Sequence, residues 1–391
     1  MRAGTLVIFL LAALVGCGES MGNPDTGAGG RDAFVPSMDA GTPPGRDSAV
    51  RLPDAGSGPA DAGSDAGGDG GSGDGGSGDG GTAPSGPIRF VVMGDTGEGN
   101  DDQYAVADAI EATCAADGCD FVILLGDNIY DSGVDSTSDP QWAGKFENPY
   151  ADIDLPFYAV LGNHDYGGEL FGDRGGLGNE FDKGPIEVAY TAVSSKWTMP
   201  DTHYTFRVGN VGFVMLDTNS ILWDNTDNGN QRAWFPGAVS ALRAEGAEWI
   251  IAAGHHPVRS NGPHGNAGAY EALEIGGIDL PIPVPIMDGR NVEDFFEDVV
   301  CGNVDVYMAG HDHSRQWLNE PGALCGAHLI VSGAGAKTTS IDNPERNEAL
   351  FQDADMEGFL YVVIDGDSFY GRWVDRTGAT NYEGMVARPS M

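Results

Sequence analysis

Short, almost uninterrupted apolar runs recur along the chain from residue 88 onward, and polar positions follow each run. Ile88 to Met93, Phe121 to Leu125 and Phe157 to Leu161 contain few polar residues. Continuous runs of this length are typical of strands that are buried on both faces. Asp102 to Thr113, between the first two runs, has helical spacing. This alternation predicts an α/β domain.

The second half of the chain continues the alternation. Tyr204 to Val208 and Val211 to Asp217 flank Gly209-Asn210, which predicts a hairpin. The other predicted elements are strands at Glu248 to Ala253, Val304 to Ala309, His328 to Ser332, Phe359 to Asp365 and Ser368 to Val374, and helices at Gln231 to Glu245 and Val292 to Val300. Two long loops, Asp131 to Leu155 and Phe171 to Pro200, are typical of functional segments.

The amino terminus has the features of an export signal. A positive start at Arg2 precedes the apolar run Leu6 to Val15, which is too short to span a bilayer comfortably. The run ends in a sequence that resembles a bacterial lipobox, so residues 1–16 are predicted to be a lipoprotein signal peptide and Cys17 the lipidated residue. An ordinary signal peptide with an incidental cysteine is the alternative. Because Gly18 rather than Asp follows, we expect an outer-membrane anchor.

Residues 17–86 differ in composition from everything that follows. They consist largely of Gly, Ser, Asp, Ala and Pro, with the near-repeat Gly-Gly-Ser-Gly-Asp. Such a segment has too few apolar side chains to offset the entropy lost on ordering, so it is predicted to be a disordered spacer. Residues 87–391 are then the predicted folded domain.

Acidity is not confined to the spacer. Gly18 to Gly86 holds eleven acidic residues and three arginines, so most of the net charge of −39 lies in the predicted domain. Phosphate backbones bind to clustered Lys and Arg, so this charge argues against nucleic acid as a default partner.

Four of the five cysteines lie in the predicted domain. An exported protein folds in an oxidising space, where disulfides are plausible. The pairings closest in sequence are Cys114–Cys119 and Cys301–Cys325, although spacing alone does not fix the connectivity. Thiolate ligation of a metal is disfavoured because no matching histidine lies near the first pair.

Five predicted strands end in glycine followed by a residue of a type that binds metals. They are Gly94-Asp95, Gly126-Asp127, Gly162-Asn163, Gly254-His255 and Gly310-His311. One such dipeptide alone is more often a simple turn or a satisfied loop histidine. Glycine lets the backbone turn sharply, and strand ends in α/β sheets are where ligands bind. Five occurrences in order therefore predict a metal site.

These motifs, extended by neighbouring residues, resemble the blocks of the calcineurin-like metallophosphoesterase superfamily over residues 88 to 320. The blocks are Gly94-Asp95, Gly126-Asp127-Asn128, Gly162-Asn163-His164-Asp165, Gly254-His255 and Gly310-His311-Asp312-His313. Tyr130 and His264 narrow the resemblance to purple acid phosphatases of the tartrate-resistant type. Two departures are Thr96, where Trp or Ser is usual, and His256, where Tyr is common. The implied fold is a four-layer α/β/β/α sandwich of two mixed β-sheets flanked by helices.

The resemblance implies a dinuclear metal centre that is bridged by Asp127. The other implied ligands are Asp95, Tyr130 and His313 for the first metal and Asn163, His255 and His311 for the second. The first set suits Fe(III), and the second suits Fe(II), Zn(II) or Mn(II). If Tyr130 were only a packing aromatic, the site would instead resemble that of di-manganese or iron–zinc phosphodiesterases.

The implied activity is that of an exported acid phosphatase, in which metal-activated hydroxide hydrolyses a small phosphomonoester. His164 is implied as the general acid, with His264 as a helper. Asp165 is predicted to orient His164 or a metal ligand. The candidates for substrate binding are Asn128 and Arg259, with Arg315 as a further cation near a metal motif.

Two other functions stay open at this point. The same metals serve phosphodiester hydrolysis, with nucleotides or phospholipid head groups as substrates. The two long loops are expected to form the cleft that decides between monoesters and diesters. A non-catalytic binding lipoprotein on a degenerate phosphatase fold is disfavoured because every implied ligand and His164 are present.

Overall fold

The computed structural model describes residues 86–170, 173–226, 229–271, 273–274, 279–280, 285–319 and 326–389. The predicted signal peptide and, apart from Gly86, the predicted spacer lie outside the described residues. The disulfide Cys114–Cys119 is present, with an S–S distance of 2.05 Å, whereas the predicted Cys301–Cys325 pairing involves Cys325, which lies outside the described residues. Among the helices described, none has both the length and the apolar character needed to cross a membrane.

Strands and short helices alternate through the described domain. The strands, β1 to β18 in chain order, are Ile88–Met93, Phe121–Leu124, Phe157–Ala159, Glu169–Leu170, Asp173–Arg174, Trp197–Thr198, Tyr204–Val208, Val211–Met215, Trp249–Ala253, Leu273–Glu274, Asp279–Leu280, Val306–Ala309, Arg315–Leu318, His328–Ser332, Ala349–Asp353, Gly358–Asp365, Ser368–Asp375 and Thr380–Ala387. The α-helices, α1 to α7, are Asp101–Asp117, Asn163–Tyr166, Gly184–Tyr190, Thr218–Leu222, Gln231–Ala244, Pro285–Asp288 and Arg290–Phe295. Ala143–Glu147 and Phe296–Val300 are π-helical.

Two seven-stranded sheets form the centre of the domain. The first has the order β18-β17-β16-β1-β2-β3-β6, and the second has the order β15-β13-β14-β12-β9-β8-β7. Each mixes parallel and antiparallel pairs: β1 is parallel to β2 and antiparallel to β16, and β9 is parallel to β8 whereas β7 is antiparallel to β8. The predicted hairpin is the β7–β8 pair, in which Val208 lies opposite Val211.

The two sheets pack face to face through aromatic side chains. Phe90 and Phe121 of the first sheet meet Phe213 of the second edge to face, with ring centroids 5.5 Å and 5.4 Å apart. The next residue along β8, Val214, belongs instead to the cluster under helices α5 and α7. Alternate side chains of β8 therefore fill two different layers, as expected for a strand that is buried on both faces.

Helices cover the outer faces of both sheets. Helix α1 packs on β16 and β17, and α5 packs on β7 and β8. These layers confirm the predicted four-layer α/β/β/α sandwich of two mixed sheets.

Eight of the described strands were not predicted from the sequence, and five of these, β4, β5, β6, β10 and β11, are only two residues long. The other three are β13, β15 and β18. Strand β18 forms one edge of the first sheet and its residues are exposed or half-buried, so it lacks an apolar run. Strands β13 and β15 pair with each other, and the buried arginine at the start of β13, Arg315, faces Asp353 of β15. Both strands contain polar residues that a partner strand satisfies, so neither has the apolar run by which the other strands were predicted.

Candidate metal centre

The structure brings all seven predicted metal ligands to the edge where β1, β2, β3, β9 and β12 end. Carboxylate and imidazole ligand atoms form two groups, and within each group they lie within 4.8 Å of one another. The first group is Asp95, Asp127 and His313, and the second is Asp127, His255 and His311. Tyr130 adds a phenol to the first group and Asn163 adds an amide oxygen to the second. A shared carboxylate is the arrangement that a pair of metal ions needs.

In the first group a phenol lies between two carboxylates. Tyr130 Oη is 3.0 Å from Asp95 Oδ1, 2.8 Å from Asp127 Oδ2 and 3.3 Å from His313 Nε2. Burial, followed by the charges of Asp127 and Asp95, raises the pKa of Tyr130 well above its ordinary value. The phenol therefore keeps its proton here unless a cation joins the group and offsets those charges.

In the second group hydrogen-bond acceptors face one another. His255 Nδ1 donates to the carbonyl of Leu125 at 2.8 Å, so Nε2 of the neutral ring carries a lone pair. That nitrogen lies 3.0 Å from Asn163 Oδ1 and 3.1 Å from His311 Nδ1. The amide nitrogen of Asn163 donates to the carbonyl of Gly176 at 2.8 Å, which turns the amide oxygen towards His255. Either a proton on Nε2 or a cation bound among these atoms removes the repulsion between them, so the donor set fits a metal.

The charges of the site act on its histidines as well. Burial lowers the pKa of His255, but Asp127 and Asp95 raise it, and the result is about 9. Burial by itself would raise the pKa of Asp127, whereas the charges of His255 and His164 lower it well below its ordinary value. Burial and the neighbouring imidazoles hold the pKa of His311 well below its usual range. Ionised Asp127 and neutral His311 are the forms that bind metals.

Three ligands adopt a backbone conformation that residues other than glycine rarely take. The φ angle is 59° at Asp95, 52° at Asp127 and 71° at His311. Each such residue costs about 1–3 kcal/mol and is found mainly at functional sites. Gly162 shows how close the backbone must come, because a Cβ atom there would lie 2.2 Å from Asp127 Oδ1.

Asp165 fixes the turn that carries Asp127. Its Oδ1 accepts hydrogen bonds from the backbone N–H groups of Asn128 and Ile129 at 2.8 Å and 3.0 Å. Its Oδ2 accepts from the backbone N–H of Gly162 at 2.8 Å and from Asn128 Nδ2 at 2.9 Å. All four bonds go to segments that carry metal ligands. The orienting role of Asp165 is therefore directed at these segments rather than at the ring of His164.

Asn128, which the sequence suggested as a substrate contact, supports Asp165 instead. It is 2% exposed. Its side-chain nitrogen donates both to the carbonyl of Val160 at 2.8 Å and to Asp165. Because both amide hydrogens are used inside the domain, Asn128 has no donor left for a substrate.

A buried carboxyl that the sequence did not reveal lies against Asp165. Glu187 of helix α3 is fully buried, and no N–H or O–H group of the described residues donates to its carboxyl oxygens. Burial, followed by the charge of Asp165, raises the pKa of Glu187 well above its ordinary value. The four hydrogen bonds that Asp165 accepts favour its charged form, so Glu187 is the partner that keeps a proton.

His164 lies beside the shared carboxylate and the phenol. Its backbone N–H donates to Asp127 Oδ1 at 2.9 Å, and its ring centroid is 4.5 Å from that of Tyr130. Its Nδ1 donates to the carbonyl of Asp131 at 2.7 Å. Because Nδ1 keeps its hydrogen in that bond, Nε2 is the nitrogen that carries the lone pair of the neutral ring.

His264 packs against the second group. Its ring stacks on that of His311, with centroids 4.0 Å apart, and its backbone N–H donates to Asp312 Oδ1 at 3.0 Å. Its Nδ1 hydrogen-bonds to the carboxylate of Glu271. Burial lowers the pKa of His264, but Glu271 and Asp312 raise it to about 9. Glu271 carries no motif and was not predicted from the sequence.

The two arginines suggested as phosphate contacts are engaged elsewhere. Arg259 donates to the carbonyl of Val258 at 2.9 Å, and its charge acts on Glu293. Arg315 is fully buried and bonds to Asp353 at 2.8 Å. Arg315 therefore forms a buried salt bridge instead of a phosphate contact, and no described contact joins Arg259 to a metal ligand.

The sequence model for calcineurin-like phosphoesterases matches residues 88–315. Tartrate-resistant acid phosphatase type 5 from Sus scrofa is 24% identical over 339 residues, which cover 78% of this chain and 88% of the relative. Purple acid phosphatase 4 from Arabidopsis thaliana is 28% identical over 292 residues, which cover 72% of this chain and 78% of the relative.

A solved structure of a purple acid phosphatase from yellow lupin seeds has a similar fold. Its TM-score is 0.54 at 17% sequence identity, and the match covers 77% of this chain and 54% of that one. The likeness therefore concerns the sandwich of two sheets.

Proposed function

The chain belongs to the calcineurin-like phosphoesterase family, and we propose that it is an acid phosphatase that hydrolyses small phosphomonoesters. The observation that carries the proposal is the convergence of phenol, carboxylate, amide and imidazole groups around one shared carboxylate, Asp127. Similarity to proteins named purple and tartrate-resistant acid phosphatases supports the same reaction.

The donor sets on either side of Asp127 differ in chemistry. The phenol of Tyr130 and the carboxylate of Asp95 would hold Fe(III). The amide of Asn163 and the imidazoles beside it would hold Fe(II), Zn(II) or Mn(II). When bound, such a pair supplies positive charge for phosphoryl oxygens and lowers the pKa of water.

His164 would give a proton to the leaving oxygen of the ester. The Asp131 carbonyl holds Nδ1 at 2.7 Å and the Asp127 carboxylate holds the backbone N–H at 2.9 Å. Both bonds leave Nε2 available, and a protonated ring would present an N–H there to the leaving group. His264, held by Glu271, would assist from the side of the second metal.

The experiment that tests the proposal is metal analysis combined with a visible spectrum. Iron-loaded protein should be violet because a tyrosinate bound to Fe(III) absorbs visible light by ligand-to-metal charge transfer. Tyr130→Phe should keep its fold and lose the colour. A colourless wild type with full iron and full activity would contradict the Fe(III)–Tyr130 bond but not the phosphatase activity.

Two chromogenic esters separate the proposed reaction from phosphodiester hydrolysis. We expect a higher kcat/KM with p-nitrophenyl phosphate than with bis-p-nitrophenyl phosphate at acidic pH. The opposite order would overturn the monoesterase proposal, and metal-loaded protein inactive on every ester would favour a binding function.

We also propose that the protein is exported and anchored to the outer membrane through a lipid on Cys17. The apolar run and lipobox-like sequence before Cys17 support this, as does the disulfide Cys114–Cys119. Globomycin should block processing, and Cys17→Ala should move the protein out of the membrane fraction. Unchanged processing and fractionation would contradict the anchor.

A further inference from the structure

The ammonium group of Lys337 lies over the ring of the predicted ligand Tyr130. Nζ is 3.3 Å from the ring centroid, well inside the range of about 6 Å over which a cation is attracted to an aromatic face. Tyr130 is 1% exposed. Its environment therefore includes a positive charge at the ring as well as the carboxylates at the hydroxyl group.

Hydrogen bonds hold the backbone on either side of Lys337 in place, and one of them goes to the predicted ligand His313. The carbonyl of Ala336 accepts a hydrogen bond from Asn100 Nδ2 at 2.9 Å. The backbone N–H of Thr339 donates to the carbonyl of His313 at 2.9 Å. These bonds hold the residues on either side of Lys337, so its position over the ring is set by the domain and not by the side chain alone.

The ammonium group of Lys337 also forms a salt bridge with a carboxylate. Lys337 Nζ lies 2.6 Å from Glu98 Oε1, and the two side chains are 30% and 27% exposed. A pair that is this much buried is screened less than a surface pair. The ammonium group therefore acts on the ring at close range, although Glu98 offsets part of its field.

A second lysine touches the same tyrosine in a different way. Lys145 Nζ donates to the backbone carbonyl of Tyr130, and it lies 3.0 Å from Gln141 Oε1. Its hydrogen bond to Tyr130 goes to the backbone, whereas Lys337 faces the ring. The two lysines therefore form a matched pair for an experiment.

We propose that Lys337 is a positioning residue that tunes Tyr130 as a metal ligand by stabilising the electrons of its ring. The inference rests on the proposed Fe(III)–Tyr130 bond. An ammonium group at the ring face stabilises the filled π orbitals of a tyrosinate more than the orbitals of an ion bound at its oxygen, because the ring is closer. Charge transfer from ring to iron then requires light of higher energy.

The test compares the visible band of iron-loaded wild type with those of Lys337→Met and Lys145→Met. Lys337→Met should move the band to longer wavelength by roughly 10–30 nm, and Lys145→Met should leave it within about 5 nm of wild type. Lys337→Arg, which keeps a cation over the ring, should restore most of the wild-type position. Iron content and circular dichroism are measured for each variant.

The outcomes separate this inference from the function on which it rests. Violet wild type with the same band in Lys337→Met overturns the role of Lys337 alone. Iron-loaded wild type without a visible band overturns the Fe(III)–Tyr130 bond and this inference with it. If Lys337→Met does not fold, Lys337→Gln keeps a polar partner for Glu98 and should shift the band in the same direction. An unshifted Lys337→Gln band would equally contradict the proposal.

Discussion

The seven predicted ligands and the two outer histidines, His164 and His264, are held at the same site by different means. The ligands follow strand ends of both sheets, and Asp95 and His255 are fully buried. The outer histidines are partly exposed, and each ring is held by one hydrogen bond, from His164 to the Asp131 carbonyl and from His264 to the Glu271 carboxylate. The sheets fix the predicted ligands, whereas the outer histidines, for which we propose a role in turnover, are held by Asp131 and Glu271, which lie outside the sheets.

This difference implies two kinds of failure. Removing a ligand leaves carboxylates facing one another without a cation, so metal binding and turnover should be lost together. Removing an outer histidine should leave the metals in place and affect turnover alone.

The largest effect is expected for Asp127→Ala, because Asp127 belongs to both ligand groups. The variant should hold less than one metal ion per chain, and its kcat/KM should fall by about 10⁴-fold or more. Metal analysis and steady-state kinetics check this. Asp108→Ala, on the exposed face of helix α1, controls for the loss of a carboxylate and should resemble wild type. A fully loaded Asp127→Ala protein would refute the shared-carboxylate assignment.

His164→Asn should keep both metals and its colour, while kcat falls by about 10²–10⁴-fold. The loss should be greater for an alkyl phosphate than for p-nitrophenyl phosphate, because a poor leaving group depends more on a proton donor. Kinetics with both esters measure this. An equal loss for both would argue against an acid role, and a loss of metal would show that His164 belongs with the ligands.

His264→Asn should have a smaller effect, about 10–100-fold in kcat/KM with unchanged metal content, because the ring contacts a ligand and a carboxylate and is no predicted ligand itself. Steady-state kinetics at several pH values and metal analysis measure it. Wild-type kinetics at every pH would show that His264 has no role in turnover. Loss of metal would show that His264 is itself a metal ligand.

The smallest effect is expected for Glu187, which lies against Asp165, and it concerns the stability of the protein. Glu187 has a raised pKa when folded, so the folded state binds more protons than the unfolded state above the ordinary Glu value of 4.5. Its contribution to stability is therefore full below that pH and is lost as pH rises towards the folded pKa. Glu187→Gln keeps a hydrogen for Asp165 and removes this dependence.

The free energy of unfolding, measured with urea at several pH values and equal metal content, tests this. Relative to wild type, Glu187→Gln should gain about 1.4 kcal/mol per pH unit from about pH 5 up to the folded pKa of Glu187. A difference between the two proteins that stays constant with pH would show that Glu187 is ionised when folded.

The family resemblance implied the four-layer sandwich and the ligands Tyr130 and His313. Apolar runs predicted the alternation of strands and helices, and strand-end motifs selected the other residues that converge on Asp127. Both depend on local features: a strand buried on both faces must be apolar, and a ligand at its end must follow a sharp turn. The strand pair β13–β15 was missed because its buried polar groups are satisfied by partners that are distant in sequence, as Arg315 is by Asp353 and Asn381.

The supporting residues could not be predicted for the same reason. Glu187 lies 22 positions beyond Asp165, and Lys337 lies over two hundred positions beyond Tyr130. Their roles come from contacts that the tertiary fold creates, and neither residue has a neighbour in sequence that marks it. Asn128 was predicted to contact the substrate because it lies in a motif, but its side-chain N–H groups donate to Val160 and Asp165 inside the domain. Those contacts are also created by the tertiary fold.

The ligand groups draw on both sheets, since Asp95, Asp127 and Asn163 follow strands of the first sheet and His255 and His311 follow strands of the second. A metal pair bound there would connect the two sheets at one edge of the sandwich. Separating the sheets would break its coordination, so the free energy of metal binding adds to that of folding. Chelation should therefore lower the melting temperature of the whole domain, and the lifetime of the folded protein would follow the supply of metal around it.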